Sequence, residues 1–341
     1  MLSLKKFHTF HTKVYAYNII KVYSIKQLCD IWKLYYQKLI PCLILGNGSN
    51  VLFTTNFQGI VLINRIKGIT IKSDNFYWYL HVAAGENWHN LVQYTIENNM
   101  YGLENLALIP GCIGAAPIQN IGAYGVSLEN FCIYVDIINL YNKKKSRLNK
   151  YACKFSYRSS IFKHIKYHNH AVIALGLALP KKWYPNLNYK DLKYLDYNIT
   201  APKVFKYICN IRKKKIPNHK LLGNAGSFFK NPLLSNKIGM NIIKKFSNIP
   251  YILENNQIKI SAGWLIEKCK SNNLTYHGAT IYSKQSLIII NKYNASGQDI
   301  IKLATKIYYL VGQKFNIWLE PEVRIINSYG EILPYHIFKK H

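Results

Sequence analysis

Residues Leu108–Gly125 constrain this chain more than any other stretch. Four glycines, two prolines and three alanines fall within eighteen positions that carry no charge. Proline fixes φ and removes a donor, and glycine destabilises regular elements while reaching backbone conformations closed to other residues. A surface linker of the same flexibility would carry Ser, Asp or Lys. Two readings remain: a buried glycine-rich turn between core strands, or a wall of bare main-chain amides closed around a large polar ligand.

A second segment is similar in kind. Leu43–Leu45 is apolar, Gly46-Asn47-Gly48-Ser49-Asn50 is a tight turn, and Val51–Phe53 is apolar again. Successive amides in such a turn form an anion-binding nest. The spacing is not the G-x-G-x-x-G that opens a dinucleotide-binding helix. Two such turns about sixty residues apart, both leaving apolar runs, suit one extended cofactor such as a flavin dinucleotide. A third glycine-rich element, Gly223–Pro232, holds Ser227 among small residues. A lone serine there is more often a backbone-capping hydroxyl than a catalyst, and with no G-x-S-x-G elbow or adjacent His/Asp pair the triad reading is poor.

With 341 residues and 49% hydrophobic content, the chain is long enough for two or three domains and a substantial core. The longest apolar run, Ala171–Pro180, falls short of the about 18 residues that span a membrane, and Met1–Lys6 has no apolar leader region. Seven scattered cysteines without a C-x-x-C pair fit reduced thiols rather than a zinc site or disulfide framework. No metal is expected, and the predicted compartment is cytoplasmic. A formal charge of +30 would ordinarily raise nucleic acid as a partner. Here the basic residues are spread along a Lys-, Ile-, Asn- and Tyr-rich chain, as base-composition drift produces, and no RNA-recognition motif interleaves them with aromatics. Only five are arginines (65, 147, 158, 212 and 324), so each retained Arg points to a need for a planar, bidentate cation.

Helical spacing of Leu28, Ile31, Leu34 and Tyr35 after Ser24 predicts a helix over 24–38. Strands are predicted at Cys42–Leu45, Gly59–Asn64 and near Trp78–Ala83, with helices at Trp88–Glu97, Val204–Lys215 and Gly297–Phe315. Alternation over Phe315–Ile325 predicts a strand whose one face is apolar and whose other face carries Trp318, Glu320, Glu322 and Arg324. The pattern is α+β: residues 1–66, rejoined by a C-terminal strand over 319–341, then 67–217, then a smaller α/β domain over 218–318.

From about Leu39 to Ile326 the chain resembles the UDP-N-acetylenolpyruvoylglucosamine reductases (UDP-N-acetylmuramate dehydrogenases) of peptidoglycan synthesis. The resemblance is carried in order by Leu45–Val51, Asn64–Gly68, Ala84–His89, Gly102–Gly125, Tyr157–Lys163, Gly223–Pro232, Ala262–Ile266 and Trp318–Arg324. It implies a two-lobed FAD-binding domain of the PCMH type with a smaller substrate-binding domain, the cofactors FAD and NADPH, and a UDP-sugar enolpyruvyl ether as substrate. Gly46, Asn47, Gly48, Ser49, Asn50, Gly111, Gly114, Ala115, Gln119, Asn120, Gly122, Tyr124 and Gly125 would then line the flavin. Ser227 would be the proton donor, Glu322 the catalytic carboxylate and Arg158 the cation on the enolpyruvyl carboxylate. Tyr189, Lys215 and Asn231 match substrate contacts. The chain departs from the family pattern at Asn47, Ala115-Ala116, Ser159 and the N-terminal His8-Thr-Phe-His11.

That chemistry explains the residue types. Hydride addition to the terminal carbon of a vinyl ether leaves negative charge that delocalises into the adjoining carboxylate as an enediolate. A fixed guanidinium stabilises it, and a positioned acid then protonates the carbon. A monomer is expected, without membrane insertion or a specific nucleic-acid partner. The rival readings are a flavoprotein oxidase on the same scaffold and a basic RNA-binding protein.

Overall fold

The computed structural model describes residues 1–254, 256–269, 271 and 274–338. Two compact units emerge: Met1–Tyr17 with Gly48–Gly59 and Lys215–His341, and Asn18–Asn47 with Ile60–Lys214. The last three residues of the first unit, and of the expected C-terminal strand, lie outside the described residues. A chain break between units falls at Lys214–Lys215, beside the predicted boundary near 217. Another falls between Asn47 and Gly48, inside the first glycine turn.

The second unit is built on an antiparallel sheet ordered Lys145–Asn149, Cys132–Asn139, His170–Pro180, Tyr77–Ala83, Ile69–Ser73. Its central strand is the longest apolar run of the sequence. Both faces of that strand are covered. Val172, Leu175, Leu177 and Leu179 enter one core, and Ala171 and Ile173 enter another. A half-solvated strand would alternate; this one is continuous because neither face meets water. Helix Ile25–Gln37 begins where Ser24 accepts a hydrogen bond from the Gln27 amide. It buries Leu28, Cys29 and Trp32, whereas Leu34, expected in the apolar stripe, is exposed. Cys42–Leu45 pairs in parallel with Ile60–Ile63, delivering the chain to the Gly46 turn. Helix Trp88–Glu97, capped by Asn87, follows the sheet directly.

In the first unit, Val51–Phe53 pairs in parallel with Arg324–Ile326. Helix Gly297–Phe315 carries a Ser296–Asp299 capping box and ends at Asn316 in the left-handed region. Its Ile300, Leu303, Ala304, Ile307 and Val311 join a core with Leu52, Phe228, Phe229 and Ile289. The predicted strand over Phe315–Ile325 is a correction. Phe315 ends the helix, and the strand proper is only Arg324–Ile326. Ile317, Leu319, Val323 and Ile325 are nonetheless buried while Trp318 is exposed. The alternation therefore reports burial along an extended segment, and Pro321, which cannot donate to a ladder, holds it to an isolated bridge with Phe229.

Candidate active site

In the first unit, main-chain pairing sets Glu322 against Phe228, the residue that follows Ser227. Ser227 forms a bridge with Ile288, and the Phe228 amide donates to the Leu287 carbonyl at 2.7 Å. The Glu322 amide donates to the Phe228 carbonyl at 2.8 Å, and the Lys230 amide to the Glu320 carbonyl at 2.9 Å. Asn50 is tied to the same strip: its Nδ2 donates to the Glu322 carbonyl at 3.1 Å, while its own carbonyl accepts from the Arg324 amide at 3.1 Å. The turn residue and the two candidate residues thus share one backbone framework. Gly226, at φ +72°, has no described atom within 4 Å of where a Cβ would stand, beside Ser227. Asn231 uses its Oδ1 to accept from the Ala262 amide at 2.9 Å, at the start of helix Ala262–Lys268. Lys215 ends helix Ala201–Lys215 and lies in this unit.

In the second unit the glycine wall is folded into short 3-10 turns, Ile113–Ala115 and Pro117–Gln119. The expectation of a wall of bare amides needs correcting here. Ile113 donates to Glu86 O at 2.9 Å, Gly114 to Ala84 O at 2.8 Å, and Ala115 to Cys112 O at 3.0 Å. Ala116 donates to Ile113 O at 3.1 Å and Ile121 to Ala116 O at 3.2 Å. Buried backbone donors must find partners, and here the Ala84–Glu86 segment and the 3-10 turn supply them between them. The glycines instead permit close approach. A Cβ on Gly114 would sit 2.7 Å from Ala84 Cβ, and one on Gly46 would sit 2.1 Å from Cys112 Sγ. Asn47 secures the same packing, its Nδ2 donating to Gly111 O at 3.0 Å. Buried Asn120, at φ 45°, donates to Ser156 O and accepts from the Glu129 amide.

The end of that wall meets Arg158. A tight turn closed by reciprocal Ser156–Ser159 hydrogen bonds presents it at φ 53°, a left-handed conformation that a bulky side chain adopts at a cost. Its Nη2 donates to Gly122 O at 3.1 Å. A Cβ on Gly122 would lie 3.3 Å from Nη1, so glycine leaves room for the guanidinium. Tyr124, also left-handed at φ 50°, stands edge-on to Tyr189 with ring centroids 5.3 Å apart. Burial pushes the Tyr124 hydroxyl up to about 12 and raises that of Tyr189. Gly125 follows at φ +79°.

Two residues missing from the predicted site belong to this cluster. Buried Asn105 donates to both Tyr124 O and Asn186 O, at 2.9 and 3.0 Å, fixing the tyrosine backbone. Arg212 lies beside Tyr124, and burial lowers its pKa despite the opposing pull of that hydroxyl. The scarcity of arginine was the available signal for Arg212; its place in a Lys-rich run concealed it.

The residues fit a flavin dinucleotide on structural grounds. Gly48, at φ +59°, gives the turn its left-handed step, as an amide nest requires, and the space beside Gly226 adjoins the proton-donor candidate. Among the described residues no His, Cys, Asp and Glu group could hold a metal, and no helix is long and apolar enough to cross a membrane.

Comparison with known proteins agrees with this layout. The profile of the FAD binding domain family matches residues 18–142, and that of the UDP-N-acetylenolpyruvoylglucosamine reductase C-terminal domain matches 217–326. Fold and site therefore define an FAD-binding α+β protein of two dissimilar parts. The chain is 53% identical over 328 residues to the UDP-N-acetylenolpyruvoylglucosamine reductase of Buchnera aphidicola, covering 95% of this chain and 98% of that one. It is 47% identical over 332 residues to the enzyme of the same name from Escherichia coli, covering 97% of each. The crystal structure of the Thermus caldophilus reductase superposes with a TM-score of 0.65 at 20% identity, covering 95% of this chain and 97% of the other. The chain belongs to the UDP-N-acetylenolpyruvoylglucosamine reductase family.

Proposed function

We propose that the protein reduces UDP-N-acetylglucosamine enolpyruvate to UDP-N-acetylmuramate, with FAD and NADPH, in peptidoglycan precursor synthesis. Near-complete coverage at about half identity to enzymes of that name carries the reading. Bound FAD, reduced by NADPH, supplies the hydride. Everything else falls to side chains of this chain. Arg158 grips the enolpyruvyl carboxylate and stabilises the enediolate; its strained backbone and the space kept by Gly122 support a fixed, aimed cation. Ser227 delivers the proton to carbon, and Glu322, whose amide donates to the carbonyl of the following residue, Phe228, assists at the enol oxygen. Tyr189, Lys215 and Asn231 hold the UDP-sugar.

The flavin contacts fall to Gly46 through Asn50 and to Gly111, Gly114, Ala115, Gln119, Asn120, Gly122, Tyr124 and Gly125. Gly46 and Gly114 contribute by letting backbones approach. Residues 1–66 with 319–341, then 67–217, form the flavin lobes, and 218–318 the substrate domain. The protein works as a monomer in the cytoplasm, without a specific nucleic-acid partner. Seven free thiols suit a reducing compartment.

The test is direct. Purified protein should show a flavin spectrum that NADPH bleaches and the enolpyruvyl sugar restores, with UDP-N-acetylmuramate as product. Reoxidation by oxygen alone, with the sugar inert, would favour the oxidase reading.

A further inference from the structure

The segment Phe7–Thr12 departs from its family pattern at both histidines, and its surroundings give it a task. It lies in the first unit, between the Gly48–Asn50 turn and the Gly223–Ser227 segment, bonded to each. On the turn side, the Thr9 amide donates to Gly48 O at 3.0 Å, and the Thr9 hydroxyl lies 3.4 Å from Gly48 O and 3.5 Å from Ser49 O. Contact is close enough that a Cβ on Gly48 would stand 2.2 Å from Phe7 O and 2.7 Å from His8 Cα.

On the serine side, Thr9 O accepts from the Asn224 amide at 2.9 Å, and a Cβ on Gly223 would stand 2.3 Å from Phe10 O. Asn291 Nδ2 donates to that same Phe10 carbonyl at 3.0 Å, while the Asn291 amide donates to Gly223 O at 2.7 Å. His11 closes the arrangement. Its Nε2 lies 2.9 Å from His219 O and its Nδ1 2.9 Å from Lys5 O, and its backbone is left-handed at φ 54°. A left-handed histidine costs more than a glycine would, and the two ring contacts are what the side chain adds.

We propose that Phe7–Thr12 is a positioning strap, with Thr9 and His11 as its fasteners, that fixes the register of the Gly48–Asn50 turn against the Gly223–Ser227 segment. Neither residue takes part in the chemistry. Thr9 joins the two segments within one residue, so a shift of either must move the other. The consequence for catalysis rests on the reading of Ser227 as proton donor and of the turn as flavin contact; the mechanical coupling does not.

Two variants separate the sides: Thr9→Val removes hydroxyl contacts to the turn, and His11→Gly removes ring contacts to His219 and Lys5 but none to the turn. Thr9→Val deletes the hydroxyl facing Gly48 and Ser49. His11→Gly deletes the ring facing His219 and suits the left-handed backbone, so it is expected to fold. Hydrogen–deuterium exchange is followed on the flavin-loaded protein. Coupling predicts crossed effects: His11→Gly speeds exchange of the 46–50 peptide, and Thr9→Val speeds that of 219–228. Each should change by about fivefold, the opening cost of roughly one lost hydrogen bond. Variants that each loosen only their own side, or a His11→Gly protein unchanged at both, would overturn the strap. Stopped-flow measurement gives an independent readout. His11→Gly should leave flavin reduction by NADPH unchanged and slow reoxidation by the sugar several-fold. Equal slowing of both halves, with crossed exchange intact, would count against Ser227 as donor and leave the coupling standing.

Discussion

Gly114 and Gly226 lie in glycine-rich regions that look alike in sequence, and they do opposite things. In the 111–125 wall, Gly114 faces Ala84 at a distance no Cβ tolerates, and the amides of Ile113 through Ala116 are engaged within the protein. There glycine serves contact between protein segments. In 223–227, Gly223 packs against Phe10 O, but Gly226 has no described atom within 4 Å of where a Cβ would stand, next to a serine held by strand-like pairing. Gly226 leaves that space open. Composition does not distinguish these uses, because both require the same missing Cβ. What differs is whether another segment of chain arrives to fill the space.

The largest effect expected lies at the open region. Ser227→Ala should leave bleaching by NADPH intact and slow reoxidation by the enolpyruvyl sugar by about 10²–10⁴-fold, the usual cost of a lost general acid. Equal slowing of both halves, read by stopped-flow absorbance, would reduce Ser227 to a structural residue.

Acid titration comes next. His8 is buried against Phe53, and burial pulls its pKa down to about 4 from 6.5. The unfolded chain therefore takes up a proton between pH 6.5 and about 4 that the native protein refuses. Stability contributed by neutral His8 is intact above pH 6.5 and falls as pH drops through that window, by up to about 3 kcal/mol. His8→Asn should flatten this acid limb in denaturant melts at pH 7, 5.5 and 4. An unchanged limb would assign it to other groups.

The same substitution made in each region then tests the comparison itself. Gly114→Ala must displace Ala84 and should cost about 1–3 kcal/mol of stability, as overpacking does, with flavin retention weakened. Gly226→Ala meets no neighbour and should cost only about 1–2 kcal/mol, for a left-handed alanine. Its main effect should be on the Michaelis constant for the sugar, since the methyl enters the space beside Ser227. Reversal of the two outcomes would mean that the roles of the glycines are exchanged.

Much of the architecture was legible before any coordinates. Helix Trp88–Glu97 and helix Gly297–Phe315 occur at the bounds their sequences predicted, because local caps and a 3.6-residue apolar stripe agree there. The 315–325 segment was misread because alternation records which side chains are buried, and an extended chain around Pro321 buries alternate residues without a ladder partner. Ser227 and Glu322 could be named only through family resemblance. Neither carries a local pattern of its own, and ninety-five positions separate them in the chain.

By itself the sequence determined the element types, the continuous apolar centre of the larger sheet, and the presence of glycine-rich backbone where no side chain fits. These follow from local propensity and from hydrophobic period, which a chain carries residue by residue. Only tertiary structure decided which glycine amides are already engaged, that Glu322 lies across from Phe228, that Arg158 is held left-handed against Gly122, and that Arg212 is buried beside Tyr124 rather than solvated. Each of these depends on a partner distant in sequence, and no local pattern records which partner will arrive.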